Sequence, residues 1–154
     1  MLSLIKSRIL INLYGYARGL MEYFEIIQRT IIKNIRFSRT DNEELLPEIY
    51  SYVPENAKYP FIRLSDFRSL LVQHADQTFT QCKVALEVFS NHKNNLDCAS
   101  IMTKLQYILQ SLSFFSNKYE FSNPKIATSS IKQLNTSIWH GEILLSVYVL
   151  ENSV

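Results

Sequence analysis

Cysteine, glycine and proline are scarce in this chain, and each shortage removes a class of protein. Two cysteines cannot build a disulfide framework. Cys82, His92 and Cys98 lie ten and six residues apart, with no C-x-x-C or H-x-x-x-H pair beside them, so zinc-site spacing is missing. Both thiols read as small buried hydrophobes, Cys82 on the apolar side of an alternating strand. Three glycines and four prolines in 154 residues exclude collagen-like, linker-rich and low-complexity chains. There is no Walker loop, no G-x-G-x-x-G and no G-x-S-x-G elbow. His74 and His140 are expected at the surface or in an interface rather than as bases, and Glu43-Glu44 sits solvated in a polar loop. With no nucleophile, base and oxyanion site in view, the expectation is a protein without catalytic residues, metal or cofactor.

Long apolar runs are missing too. A membrane-spanning helix needs about 20 mostly apolar residues. Lys6, Arg8 and Arg18 interrupt the N-terminal stretch, and its longest uncharged run, Ile9 to Ala17, is nine residues. No small-x-small cleavage site follows it, although the lack of acids in residues 1–20 also resembles a transit peptide. The remaining readings are an N-terminal helical extension over residues 1–20 or a domain that starts at Met21. An apolar stripe at helical spacing runs through Leu2, Ile5, Ile9, Leu13, Tyr16, Leu20, Phe24, Ile27, Ile31 and Ile35, as one long helix or as two halves broken near Gly15 and Gly19.

The charge is +2 overall but lopsided. Residues 1–39 hold seven basic and two acidic side chains, and the remaining 115 hold nine basic and twelve acidic. Without residues 1–20 the chain has 13 basic and 14 acidic groups. Nucleic-acid binding wants a clustered basic face, which this body lacks, so no sequence-specific nucleic acid is expected.

What is present is periodicity. Ile49 to Val53 suggests a short strand that ends at the Pro54-Glu55-Asn56 turn, and an extended pattern resumes from Tyr59 to Asp66. Residues 67–77 are mixed and read as a long hairpin loop. From Thr78 to Ser90 the period is two, with Thr80, Cys82, Val84, Leu86 and Val88 on one face. Asn94 or Asn95 can cap a helix whose stripe is Leu96, Ala99, Met102, Leu105, Leu109 and Leu112, ending near Ser113 to Asn117. Two strands follow, Lys125 to Asn135 and Ile138 to Leu150, with Trp139 on the apolar face. The order predicts an α+β fold: a mostly antiparallel sheet of about four to five strands, with an N-terminal helix and one amphipathic helix packed on a face. Residues 21–154 would form a single domain.

One phrase carries more. Ile49-Tyr50-Ser51-Tyr52-Val53-Pro54-Glu55-Asn56-Ala57-Lys58-Tyr59-Pro60-Phe61-Ile62 resembles the strand followed by V-P-x-x-A-x-Y-P-[YF]-[IV] of tail-completion proteins from long-tailed phages and gene transfer agents. In that family a helix precedes the phrase. A long alternating strand, a polar turn, an amphipathic helix and paired C-terminal strands follow it. Met21 to Ile35, Thr78 to Ser90, Asn94 to Leu112 and Trp139-His140-Gly141-Glu142 are similar in order, so the resemblance covers about residues 21–151. Residues 1–20 fall outside it, and Leu70, Leu71 and Val72 make the hairpin more apolar than is usual there.

The resemblance implies a structural, non-enzymatic role. Such proteins form a ring, commonly a hexamer, on the end of the tail tube, stop its polymerisation and receive the head–tail connector. The partners implied are further copies of the chain, the tail tube protein and the connector protein. The location implied is the cytoplasm during assembly and then the tail of the particle. The alternatives are an adaptor of a secretion or pilus-type assembly docking through the N-terminal amphipathic helix, and a small enzyme using His140. The candidate interface residues are Arg68, Gln73, His74 and Asp76 on the 67–77 hairpin, with Arg8 and Arg18 as weaker ones.

Overall fold

The computed structural model describes residues 22–38 and 46–151. The expected extension over residues 1–20, with Arg8 and Arg18, lies outside the described residues, as does most of the polar loop expected at Ser38 to Glu44.

Helix α1 runs over residues 22–38. Tyr23, Ile27, Ile31 and Ile35 recur every four residues and form one buried line. On its outer side Glu25 pairs with Arg29 one turn later, the favourable order for an acid and a base on a helix. Near its end Thr30, Asn34 and Ser38 each donate to the carbonyl four residues back.

Strand β1 (Glu48–Tyr50) pairs in parallel with the start of β2 (Phe61–His74). Between them Ala57 N–H closes a turn on Pro54 C=O at 3.0 Å, and the Tyr59–Pro60 peptide is cis. β2 folds back on β3 (Gln77–Ser90) through a two-residue turn, Ala75-Asp76. Helix α2 (Leu96–Gln110) follows. Then come β4 (Tyr119–Phe121), β5 (Lys125–Asn135) and β6 (Ile138–Glu151). β6 lies against β3 on one side, and on the other it takes β4 at its end and β5 along its length. The result is a six-stranded sheet, antiparallel except for β1 with β2.

One face of this sheet is the core. Thr80, Cys82, Val84, Leu86 and Val88 of β3 lie beside Ile143, Leu145, Val147 and Val149 of β6 and meet Cys98, Ile101, Met102, Leu105 and Leu109 of α2. Gly141 is where α2 comes closest. A Cβ there would stand 2.6 Å from Met102 Sδ and 3.1 Å from Cys98 Sγ. α1 lies across the same core, with Phe24 against Phe67 of β2 and Tyr23 edge-on to Tyr119 of β4. Tyr119 O–H donates to Glu22 Oε2 at 2.6 Å. Burial, that hydrogen bond and the carboxylate charge all push the phenol up from its ordinary value.

The α+β architecture is the one expected, with differences that have physical reasons. Residues 67–77 are not a long loop but a two-stranded ribbon that closes at Ala75-Asp76. Both sides of its tip meet solvent, so it carries no apolar alternation to announce it. β1 stops at Tyr50 and leaves Tyr52 84% exposed. α2 ends at Gln110, where the hydroxyl of Ser111 turns back to the Ile108 carbonyl at 2.9 Å and competes with the next turn. β4 has three residues, too few for a period to show, and it brings the strand count to six.

Candidate functional site

The second face of the sheet carries no helix among the described residues, and the strand registers sort its side chains into rows. Phe61, Phe89, His140 and Lys132 stand side by side on β2, β3, β6 and β5. The next row is Arg63, Glu87, Glu142 and Ser130. Beyond a bulge between Leu64 and Phe67 comes a row of Arg68, Lys83, Ser146 and Lys125. Leu70, Gln81 and Tyr148 lie past that. The face is mixed, because opposite their core residues β3 and β6 place Gln81, Lys83, Glu87 and Glu142 among Ala85, Phe89, Leu144 and Tyr148.

The acidic row is tied at one end. Glu87 Oε2 accepts from Arg63 Nη2 at 2.6 Å, and His140 Nε2 meets Glu87 Oε1 at 2.9 Å. Burial pushes the Glu87 carboxyl up. Hydrogen bonds from Arg63, His140 and Ser65, together with the Arg63 charge, outweigh it, so the group is held below the usual carboxylate value. Phe89 roofs this cluster, stacked on Phe61 at 5.0 Å, tilted against His140 at 4.9 Å and with Arg63 Cζ 5.3 Å over its ring. Glu142 is directly opposite Glu87 and has no ion-pair partner among the described residues. Like charges in that position repel.

Between the acidic and basic rows lies an open groove of about 670 Å³, lined by Arg63, Asp66, Arg68, Lys83, Glu87 and Glu142 among others. Arg68 Nε meets Asp66 Oδ2 at 2.8 Å, whereas Lys83 has no ion pair among the described residues.

The candidate interface residues divide. Arg68 lies on β2 and lines the groove. Gln73 and His74 end β2, and Asp76 is in the turn; all three are exposed at the ribbon tip, away from the groove. His140, expected at the surface or in an interface, is 7% exposed within the subunit. Glu87 and Phe89 close over it, an arrangement that depends on β3–β6 register and not on local pattern. The sequence reading did not single out Arg63, Lys83, Glu87 and Glu142. The available signal was the alternate positions of β3 and β6, which already set Lys83, Glu87 and Glu142 on one side.

Cys82 and Cys98 are both free and buried. Burial pushes the Cys82 thiol up to about 12, and burial plus the Asp97 charge raises Cys98. Among the described residues no group of three or more His, Cys, Asp or Glu is placed to hold a metal. No described helix is long and apolar enough to cross a membrane.

No family model and no curated protein matches this chain. Among solved structures, a chain of the structure described as "Virion of native gene transfer agent (GTA) particle" has a similar fold. The two superpose with a TM-score of 0.68 over 83% of this chain and 96% of that chain, at 9% sequence identity. The match spans nearly the whole of the virion chain, so what the two share is a complete fold and not a fragment.

Proposed function

We propose that this chain is a structural subunit of a phage-like or gene transfer agent particle, a tail-completion protein that caps the tail tube as a ring and joins it to the head connector. The observation that carries the reading is the fold shared with nearly the full length of a chain from a gene transfer agent virion. The Val53-to-Phe61 phrase lies where this reading wants it, as the link between β1 and β2. Its chemistry is assembly, and the helix-free face and the ribbon supply surface for it. The subunit folds and assembles in the cytoplasm and ends in the tail of the particle.

The test mixes purified protein with polymerising tail tube subunits and follows mass by light scattering and tube ends by electron microscopy. Closed rings and tubes of arrested length are expected. A protein that stays monomeric at high concentration and leaves tube length unchanged would sink the reading.

A further inference from the structure

The sheet ends in two open ladders. β1 covers β2 only from Phe61 to Arg63, so the outer edge from Phe67 to His74 has no neighbour among the described residues. From Phe67 to His74 that edge has no lysine, no proline and no bulge, and its blunting devices are the single charge of Arg68 and the bulge just before Phe67. It also exposes Leu70 and Leu71 at 61% and 50%. At the other end β5 is bonded to β6 alone among the described residues.

The two-residue turn fixes which backbone groups are free. His74 and Gln77 close it as a hydrogen-bonded pair, so Phe67, Ser69, Leu71 and Gln73 turn their N–H and C=O away from β3. The same alternation carried across β3 and β6 leaves Ser129, Ile131 and Gln133 turned outward from β5.

We propose that the β2 edge of one copy pairs with the β5 edge of the next, antiparallel and with Ser69 opposite Ser129, so that one continuous sheet runs through the assembly. This rests on the ring reading above and names its interface. Two different edges on one subunit are what a head-to-tail contact needs. β2 and β6 run one way and β3 and β5 the other, so a rotation that keeps strand direction brings the edges together antiparallel.

The register follows from three conditions. Helix-free side chains must meet helix-free side chains, which requires Arg68 and Leu70 to face the even-numbered residues from Thr128 to Lys132. Outward amides must meet outward amides, which selects the same alternate registers. With no stagger Ser130 would meet Arg63, which β1 already holds. Closing four strands per subunit at a tilt of about 35–45° shifts each neighbour by about 13–19 Å along the strands, about four to six residues. The alternation allows even row counts, and the shorter shift of four rows, about 13 Å, is five residues along β2 because of its bulge. It sets Arg68 opposite Ser130 and carries the neighbour's β1 past the end of β5.

The direction of the shift also has a consequence. β3, α2 and β5 form a parallel crossover, which is right-handed by rule, and strands in closed sheets coil with one hand. The shift moves β5 away from β1 only when the helices are outside and the helix-free face looks toward the axis. In this register Phe67 falls opposite Ile131, two half-buried residues already packed on the cores of their own subunits. Lys132 falls beside Asp66.

The test is a cross-link in the full-length protein. Arg68→Cys with Ser130→Cys places two exposed thiols about 4.5 Å apart at Cα across the seam, within disulfide reach. Cys82 and Cys98 stay buried and out of the reaction. Mild oxidation of the assembled double variant is expected to give a ladder of covalent oligomers, and each single variant none. Hydrogen exchange on the unmodified protein reads the same seam. The amides of Ser69, Leu71, Ser129 and Ile131 should slow at least tenfold on assembly. Rings that form with no ladder and with fast amides overturn this interface and leave the ring reading standing. A two-fold dimer that protects β2 and not β5 also overturns it. Protection of β2 already present in the monomer means that the chain covers its own edge, and overturns it as well. Protein that never assembles, alone or on tube ends, overturns both.

Discussion

The two faces of the sheet differ in what their side chains do for the molecule. On the helix-covered face β3 and β6 present Val84, Leu86, Ile143 and Leu145 to α1 and α2, and hardly any of that surface meets water. On the other face the same two strands present Lys83, Glu87, Glu142 and Ser146. The first face is interchangeable chemistry held by shape, and its energy comes from area removed from water. The second is specific chemistry held by register. Moving one strand by a residue would leave the apolar face a poorer core and would erase the polar rows altogether. Stability and identity are therefore written on opposite sides of one set of strands.

The largest effects should come from the covered face. Leu105→Ala removes a fully buried side chain between α2 and the sheet and should lower unfolding free energy by about 3 kcal/mol, read from urea titration. A loss under about 1 kcal/mol would mean that α2 contributes little and that the contrast between the faces is false.

Glu87→Gln tests the other face. It removes a charge that holds Arg63 and His140 together, and a loss of about 2 kcal/mol at neutral pH is expected. The pH dependence carries the sign. Folded Glu87 keeps its charge to lower pH than the unfolded chain does, so its contribution is complete above about pH 5 and fades as acid titrates the folded carboxylate. Wild-type protein should therefore lose more stability between neutral pH and pH 3 than Glu87→Gln does. Equal slopes would show that the cluster is not coupled to folding.

The ribbon lies between these cases. Ala75 sits at φ 51, the left-handed region, where a Cβ is strained. Ala75→Gly should raise the melting point, by up to about 1 kcal/mol in stability, without altering either face. The smallest effect is expected at Glu142, which opposes Glu87 with no ion-pair partner among the described residues. Glu142→Gln should be neutral or stabilising by about 0.2–1 kcal/mol at low salt, and that gain should shrink as salt is added. A loss would mean that Glu142 holds a favourable contact and that the acidic row is not under strain.

Much of the covered face was legible in the sequence. The alternation from Ile138 to Leu150 and the stripe from Leu96 to Leu109 each bury one side, and burial on one side is what makes a period visible. Trp139 packs against the core as its place in that alternation requires. The ribbon was not legible, because Gln73, His74 and Gln77 meet water on both faces and nothing selects alternate positions. The candidate site was half legible. Arg68 lines the groove, whereas His140, whose side of β6 the alternation gives, is buried and not at the surface or in an open interface. What buries it are Glu87 and Phe89, fifty residues earlier and adjacent only through strand register. Local pattern gives the side a residue faces, and pairing gives its company.

The rows have one more consequence. Along β3 the acidic row at Glu87 and the basic row at Lys83 are four residues apart, about 13 Å in an extended strand. The helix-free face therefore carries a fixed electric moment that points along the strands. Copies that add with their strands aligned add these moments instead of cancelling them. Each copy then sets Glu87 and Glu142 at one level of the shared face and Arg68, Lys83 and Lys125 at another, with Lys132 beyond the carboxylates. An object built this way has a top and a bottom that a charged partner can tell apart before any surface touches.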